Sequence, residues 1–544
     1  MPQPLQPTHL AGLHAHAHGA CCCGSPLLQR FHERMMAEIS RRQFLGGTAA
    51  VMALFAGLHA PSAVGEAPKE REGPLLLTRL RLFDGSGAPL RDDVAVRVEA
   101  GRISALLPGD AYPEGAEVID CGGRVLMPGL IDAHWHTTLV GITQVAAMTA
   151  DVGYVHLVAA REAERTLMRG VTSVRDVGGP SFALKRAIDE GIMTGPRIFP
   201  AGAMISQTSG HGDFRMRHEV PRGSATPLSE QERQGVAAIA DGEAEVLRRT
   251  REQLMLGASQ IKLMAGGGVA STYDPLDSTQ FTERELRAAV EAAEDWGTYV
   301  MVHVYTPRGI QRALRAGVRS IEHGQLADEE SVRMMAGEGA WWSLQPFLQD
   351  EDANVYPDAA RRESQRRVAE GTLRAYELAQ RFDVKTAWGT DILFSPQNTP
   401  NQLRHLAKLT RFYDPLTALA MATGRNGELL ALSGPRAPYA GTLGRIEPGA
   451  LADLLVVDGD PSRDLDFLND PERNLRLIMK GGASTRIAWG RVEDGRRFLP
   501  GPLPRHGAFR TGGAPGWCSA AWCMKVPFPS LAGHRYSNQL ICKE

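Results

Sequence analysis

Met127–His136 reads MPGLIDAHWH. The segment runs into a strand that ends with two histidines one residue apart. Side chains at i and i+2 of a strand point to one face. His134 and His136 therefore aim two imidazoles at one point, which a metal ion needs and an apolar core does not. A short His pair is common by itself. Its weight here comes from being the first of a series of strand-end ligands.

Outward from this segment, residues 128–440 alternate apolar strand-like runs with helix-forming stretches such as TERELRAAVEAAEDWG and PRGIQRALRAGV. The strands read as Leu130–His136, Val171–Val177, Arg197–Ile205, Gln260–Met264, Tyr299–Tyr305, Ser320–His323, Trp341–Gln345 and Thr386–Asp391. Eight βα units predict an α/β fold, a closed (β/α)8 TIM barrel. An open doubly wound sheet is disfavoured, because no Gly-rich dinucleotide fingerprint follows the first strand. Residues 75–127 and 441–499 alternate apolar and polar with turn signals at Asp84-Gly85 and Ala100-Gly101. These flanks predict one small β-sandwich built from both ends of the barrel.

Active sites of parallel barrels sit at the C-terminal ends of the strands. His134 and His136 end strand one, and Lys262 stands in the apolar strand four. His303 stands in strand five, His323 ends strand six and Asp391 ends strand eight. Taken singly, each has an ordinary reading. A strand His is usually a satisfied core residue, a buried Lys usually pairs with a carboxylate, and a terminal Asp often caps the next helix. Those readings leave the coincidence of six such groups at one barrel mouth unexplained.

The chain has 544 residues with 43% hydrophobic and 22% charged, and a formal charge of −2. That is ordinary for a globular protein and argues against a nucleic-acid partner. Six of the seven cysteines lie near the ends, leaving Cys121 in the body, so a metal site there must use His, Asp, Glu or Lys. Ser40-Arg41-Arg42-Gln43-Phe44-Leu45 resembles the twin-arginine export motif, and the apolar run after it is too short and Gly/Ala-rich to span a membrane. Residues 35–67 thus read as a signal peptide, which implies the export machinery as a partner, a periplasmic or secreted location and no stable membrane anchor. Residues 1–34, with HAHAH and CCC, read as lying ahead of the true start at Met35 or Met36. Residues 500–544 lack periodicity and read as a disordered or aberrant tail. Cys518 and Cys523 have no second pair to complete a metal knuckle.

Over roughly residues 75–498 the chain resembles the metal-dependent amidohydrolase superfamily. The matching pieces are MPGLIDAHWH, IKLMAGGGVAS, HVYTPRGIQRALRAGVRSIEHG, WGTD, ATGRNGELLAL and GRIEPGALADLLVVDGDP. The Lys262 segment and DPLDSTQFTERELRAAV resemble the branch of prolidase-like enzymes, zinc carboxypeptidases for C-terminal basic residues, and bacterial ochratoxin amidohydrolases. That branch implies two divalent metal ions, zinc above all, bridged by a lysine carboxylated by CO2. His134, His136 and Asp391 would hold the more buried ion, and His303 and His323 the other. A cationic lysine cannot bridge two cations, whereas its carboxylated form offers one oxygen to each. The implied reaction is attack of a metal-bridging hydroxide on a peptide or N-acyl amide bond to a C-terminal amino acid. Asp391 would act as general base and then acid.

Further candidates in and around the site are His211 in SGHGD, Tyr305 two residues beyond His303, and Tyr273 after the GGGVAS turn. Arg215 and Arg217 could bind a substrate carboxylate through a bidentate fork. Gly266–Gly268 are not a phosphate loop, since no Lys-Ser/Thr follows. Three functions compete. The first is cleavage of a dipeptide or similar small amide. The second is ring opening of a cyclic amide or imidazolone, or deamination, although a bridging lysine argues against deaminases. The third is a secreted metal binder without catalysis, which would have no need of Asp391. The branch also implies a homo-oligomer.

Overall fold

The computed structural model describes residues 73–498, apart from 112–114, 221–225, 271–272, 357, 488–491 and 494–495. The twin-arginine segment, the histidine and cysteine runs before it, and the tail after residue 500 lie outside the described residues. The leading flank supplies strands β1 (Leu75–Leu82), β2 (Arg91–Glu99), β3 (Arg102–Pro108) and β4 (Glu117–Pro128). The middle supplies β5 (Leu130–Trp135), β6 (Val171–Asp176), β7 (Arg197–Pro200), β8 (Met204–Ser206), β9 (Ala237–Ile239) and β10 (Ile261–Met264). It continues with β11 (Val300–Val304), β12 (Ser320–His323), β13 (Trp341–Leu344) and β14 (Thr386–Trp388). The trailing flank supplies β15 (Leu454–Val457), β16 (Leu475–Lys480), β17 (Ala483–Ile487), β18 (Val492–Glu493) and β19 (Arg496–Phe498).

The two flanks share one mixed sheet in the order β17-β16-β15-β4-β1-β2-β3, with the β18–β19 hairpin joined to β4. At the β2–β3 turn, Ala100 and Gly101 both have positive φ, as a tight hairpin requires. Strand β4 bends at Gly122–Gly123, where its register against β1 jumps. Its first half therefore pairs with β19 and its second half with β15. Alternate side chains fill two cores. Leu126, Leu454, Val456 and Leu477 face the β-domain core. Val125, Met127, Leu455 and Val457 face the barrel. Burial on both sides explains why 454–457 reads LLVV without alternation.

The middle forms a (β/α)8 barrel with parallel strands. The third strand, expected over 197–205, is broken at residues 201–203. Its first part, β7, pairs with β6, and its second part, β8, pairs with β10 and with the additional strand β9. The break is bridged by Ser259 N donating to Pro200 O at 2.7 Å. Along β11, Val300, Val302 and Val304 face the surrounding helices, while Met301 faces inward. Met301, Tyr299, Trp341, Ala387 and Leu429 fill the N-terminal part of the interior, which makes the barrel a packed core and not a pore. The helix Glu283–Asp295 shows why the outer layer forms where it does. Thr282 and Glu285 make a reciprocal cap, and the small apolar face of Leu286, Ala289, Val290 and Ala293 is buried.

Closure between β5 and β14 uses side chains as well as backbone. Asp391 N donates to His134 O at 2.9 Å. Asp132 accepts from Thr390 N and Thr390 Oγ1, at 3.1 and 2.8 Å, and from Gln402. Asn426 Nδ2 donates to Ile131 O (2.7 Å) and Trp388 O (2.8 Å), and its Oδ1 accepts from Trp388 N (3.2 Å). The backbones approach so closely that a Cβ on Gly389 would lie 2.4 Å from the Cβ of His134. Replacing Asn426 by Ala would strand three buried backbone groups. The expected loss of stability is about 2–5 kcal/mol, read as a lower thermal unfolding midpoint. A change under about 0.5 kcal/mol would mean the seam is held without Asn426.

Candidate active site

Strand β5 carries a bulge. Asp132 pairs with Val174 and Trp135 with Asp176, so β5 holds one residue more than β6 between those points. The extra residue shifts the parity of the strand. Ala133 enters the barrel interior, Trp135 packs into the outer core, and His134 and His136 both reach the C-terminal mouth. There they line a cavity of about 530 Å³ together with Lys262, His303, Tyr305, His323 and Asp391. His323 and Asp391 have φ of +69° and +53°, uncommon for residues with a side chain. Such backbone persists where the surrounding structure over-determines it, often at functional sites.

Ligand-type atoms of His134, His136 and Asp391 all lie within 4.8 Å of one another. Asp391 Oδ1 is 3.2 Å from His134 Nε2 and 3.6 Å from His136 Nε2. His136 Nδ1 contacts Gly178 O at 2.9 Å, and His134 Nδ1 contacts Glu322 Oε2 at 2.8 Å. With Nδ1 engaged by a carboxylate, His134 turns Nε2 toward the cluster. That nitrogen is buried and makes no hydrogen bond. A cation shared between His134 Nε2 and the carboxylate oxygen 3.2 Å away, a proton or a metal ion, would satisfy both. Burial opposes ionisation of Asp391, but the imidazoles of His134, His136 and His323 hold its carboxyl well below the usual range.

The rings of His303 and His323 are 4.5 Å apart between centroids. His303 Nε2 contacts Gly267 O (3.1 Å), and His323 Nδ1 contacts Gln345 Oε1 (2.8 Å). Each thereby has one ring nitrogen engaged and one remaining. Burial pushes the pKa of both well down, with neighbouring basic groups helping and Asp391 opposing, so both rings are neutral at pH 7 and keep a lone pair. Lys262 is 1% exposed and makes no hydrogen bond or ion pair among the described residues. Burial pulls its ammonium down to about 8, although Glu322 and Asp391 act the other way. The ordinary expectation of a carboxylate partner for a buried lysine is not met.

His211 stacks on His303 at 4.0 Å with planes 12° apart. Its Nδ1 contacts Asp274 Oδ2 at 3.3 Å, and its backbone N donates to Gln280 Oε1 at 2.8 Å. Gly268 makes room for this ring, because a Cβ there would lie 2.1 Å from His211 Cε1. Tyr305 stacks on His323 at 5.0 Å, and burial raises its phenol well above the usual pKa, keeping it a hydrogen-bond donor. Tyr273 lines the cavity, partly exposed, beneath the Arg217 guanidinium at 5.8 Å. Neither arginine offered by the sequence lines the cavity. Arg215 is locked onto Asp213 at 2.6 and 2.7 Å.

Arg175 and Glu322, which the sequence reading passed over, stand at the base of the site. Both side chains are fully buried, with Arg175 Nη2 2.8 and 2.7 Å from the two Glu322 oxygens. Burial would raise the Glu322 carboxyl, but Arg175 and then His134 hold it well below the usual range. The available signal was an arginine and a glutamate within two short barrel strands, VTSVRDV and SIEHG.

The amidohydrolase family matches residues 125–483, and the chain belongs to that family. The ochratoxinase of Aspergillus niger is 31% identical over 429 residues, spanning 74% of this chain and 84% of that one. A solved amidohydrolase is 35% identical, with TM-score 0.68, over 76% of this chain and 99% of its own. A prolidase solved with N-methylphosphonate-L-proline is 32% identical, with TM-score 0.69, over 76% and 100%. Within the family the chain falls in the prolidase and ochratoxinase branch, as a hydrolase acting on amide bonds.

The lysine makes a stability prediction of its own. Unfolded, Lys262 holds its proton up to its ordinary value of 10.5, but folded only up to about 8. Between those values the unfolded chain binds more protons, so stability of the metal-free protein rises with pH. Below pH 8 the full penalty applies, on the order of 3 kcal/mol. Lys262→Met is expected to stabilise the metal-free protein at pH 7 and to flatten that rise. Equal melting profiles for the two proteins between pH 7 and 10 would contradict it.

Proposed function

We propose that this protein is a binuclear metal amidohydrolase cleaving a peptide or N-acyl amide bond to a C-terminal amino acid. The observation that carries the reading is the convergence of His134, His136 and Asp391, whose ligand-type atoms all lie within 4.8 Å of one another, with His134 Nε2 buried and outside any hydrogen bond. Imidazole nitrogens and a carboxylate are a donor set suited to zinc. His134, His136 and Asp391 would hold one ion, and His303 and His323 a second. Lys262 would lie between them after its neutral amine adds to CO2 and releases a proton, forming a carbamate. When bound, the ions supply an activated water and polarise the substrate carbonyl.

The residues of the chain divide the remaining work. Asp391 accepts the proton of the attacking water and returns it to the leaving amine. The Tyr305 hydroxyl donates to the carbonyl oxygen as it gains charge. His211, held by Asp274, and Tyr273 contact the substrate beside the reacting bond. Met204, Phe214, Met264, Leu393 and Phe394 form one apolar wall, and Val269, Phe347 and Val368 another. Asp350 and Asp352 at the rim are engaged by Lys408, each at 2.8 Å. The cavity therefore suits apolar or aromatic side chains better than basic ones. From the sequence alone, we further propose export by the twin-arginine route to the periplasm or beyond, and a homo-oligomeric state.

The test is metal analysis and turnover of the full chain purified with zinc and bicarbonate. About two zinc ions per chain, and loss of about 100-fold or more in kcat for Lys262→Ala, are the expected results. One ion or none, or activity indifferent to Lys262, would overturn the bridged site. On a panel of N-acyl amino acids and dipeptides, C-terminal Phe or Leu should exceed Lys or Arg in kcat/KM by about 10-fold or more. Turnover confined to cyclic amides would instead mark a ring-opening hydrolase.

A further inference from the structure

We infer that Arg175 and Glu322 are positioning residues that fix which nitrogen of His134 faces the metal site. The inference rests on the metal-site reading above and goes beyond it, to what makes that site competent. Arg175 holds His134 by two handles. Its Nε donates to Ala133 O at 2.6 Å, gripping the bulged backbone just before the histidine. Its Nη2 binds Glu322, whose Oε2 in turn meets His134 Nδ1 at 2.8 Å. Ser320 Oγ donates to the other Glu322 oxygen at 2.6 Å, and Arg175 Nη1 also reaches Ser320 Oγ (3.2 Å) and Tyr299 OH (3.3 Å).

The hydrogen-bond bookkeeping assigns the tautomer. Glu322 is surrounded by donors from Arg175 and Ser320, so it is a carboxylate and has no hydrogen to give. The hydrogen shared with His134 therefore belongs to Nδ1, which makes Nε2 the nitrogen that can give its lone pair to an ion. A purely structural Arg–Glu pair would not need its second oxygen on a ligand-type histidine, nor its guanidinium on that histidine's own strand. Outer partners of this kind orient a ligating imidazole and raise its basicity.

Glu322→Gln tests the assignment. Arg175 will take the amide oxygen, which turns the amide NH2 toward His134 Nδ1 and moves the histidine hydrogen to Nε2. Zinc affinity, read by competition with a chromophoric chelator, should fall about 10- to 100-fold. Glu322→Asp keeps the charge for Arg175 but shortens the reach to His134, so it should weaken zinc binding with a smaller change in the metal-free melting midpoint. Wild-type affinity in both variants would overturn the inference. Failure of the wild-type protein to bind zinc at all would instead overturn the metal-site reading. Should both variants fail to fold, a structure of the zinc-loaded wild-type protein decides the point. The inference requires Nε2 on the ion and Nδ1 on Glu322, and coordination through Nδ1 would refute it.

Discussion

Two ligand-type groups, the Nε2 of buried His134 and the partly exposed carboxylate of Asp391, are held 3.2 Å apart. A cation shared between them, a proton or a metal ion, is what such a pair accommodates. Everything around them resists their relaxing apart. The bulge in β5 sets the first, left-handed backbone at Asp391 sets the second, and a backbone hydrogen bond from Asp391 N to His134 O ties them together. Folding therefore presets a place suited to a cation. A fold stabilised mainly by its large apolar core can carry such a site.

The same logic extends outward. Each histidine of the cluster has one nitrogen fixed: His134 on Glu322, His136 on Gly178 O, His303 on Gly267 O and His323 on Gln345. Each partner defines the direction left open on the opposite side of the ring. His211 and Tyr305 then sandwich the rings of His303 and His323 from above, which limits their rotation. The cavity is thus held at its base by these contacts, and its apolar side walls come from strand ends, the loops after several strands and the helix Ala359–Arg381. In barrels this division lets chemistry stay constant while substrate range varies.

Much of this was readable in the chain because strand periodicity is local. Seven of the eight barrel strands lie where alternation and apolar runs placed them, the third lies there in two pieces, and His134, His136, Lys262, His303, His323 and Asp391 line one cavity. What resisted reading depends on register or on partners distant in sequence. The break at residues 201–203 lies inside an apolar run that looks continuous. The β5 bulge is visible only once β6 is beside it. Arg175 and Glu322 are 147 residues apart, and each alone resembles an odd charge in a strand. Arg215 looked available until Asp213, two residues away, was seen to occupy it.

The barrel seam has a consequence in time. His134 and Asp391 flank the line where the first and last barrel strands meet, and the Asp132–Thr390 contact spans 258 residues. Contacts of such long range form late, because the entropy of closing the loop must be overcome first. A nascent chain long enough to hold His134, His136 and Lys262 still lacks the group that completes the ligand cluster. Closing the seam is what brings Asp391 to His134 and His136, so a metal ion held there, as proposed above, would favour the closed barrel.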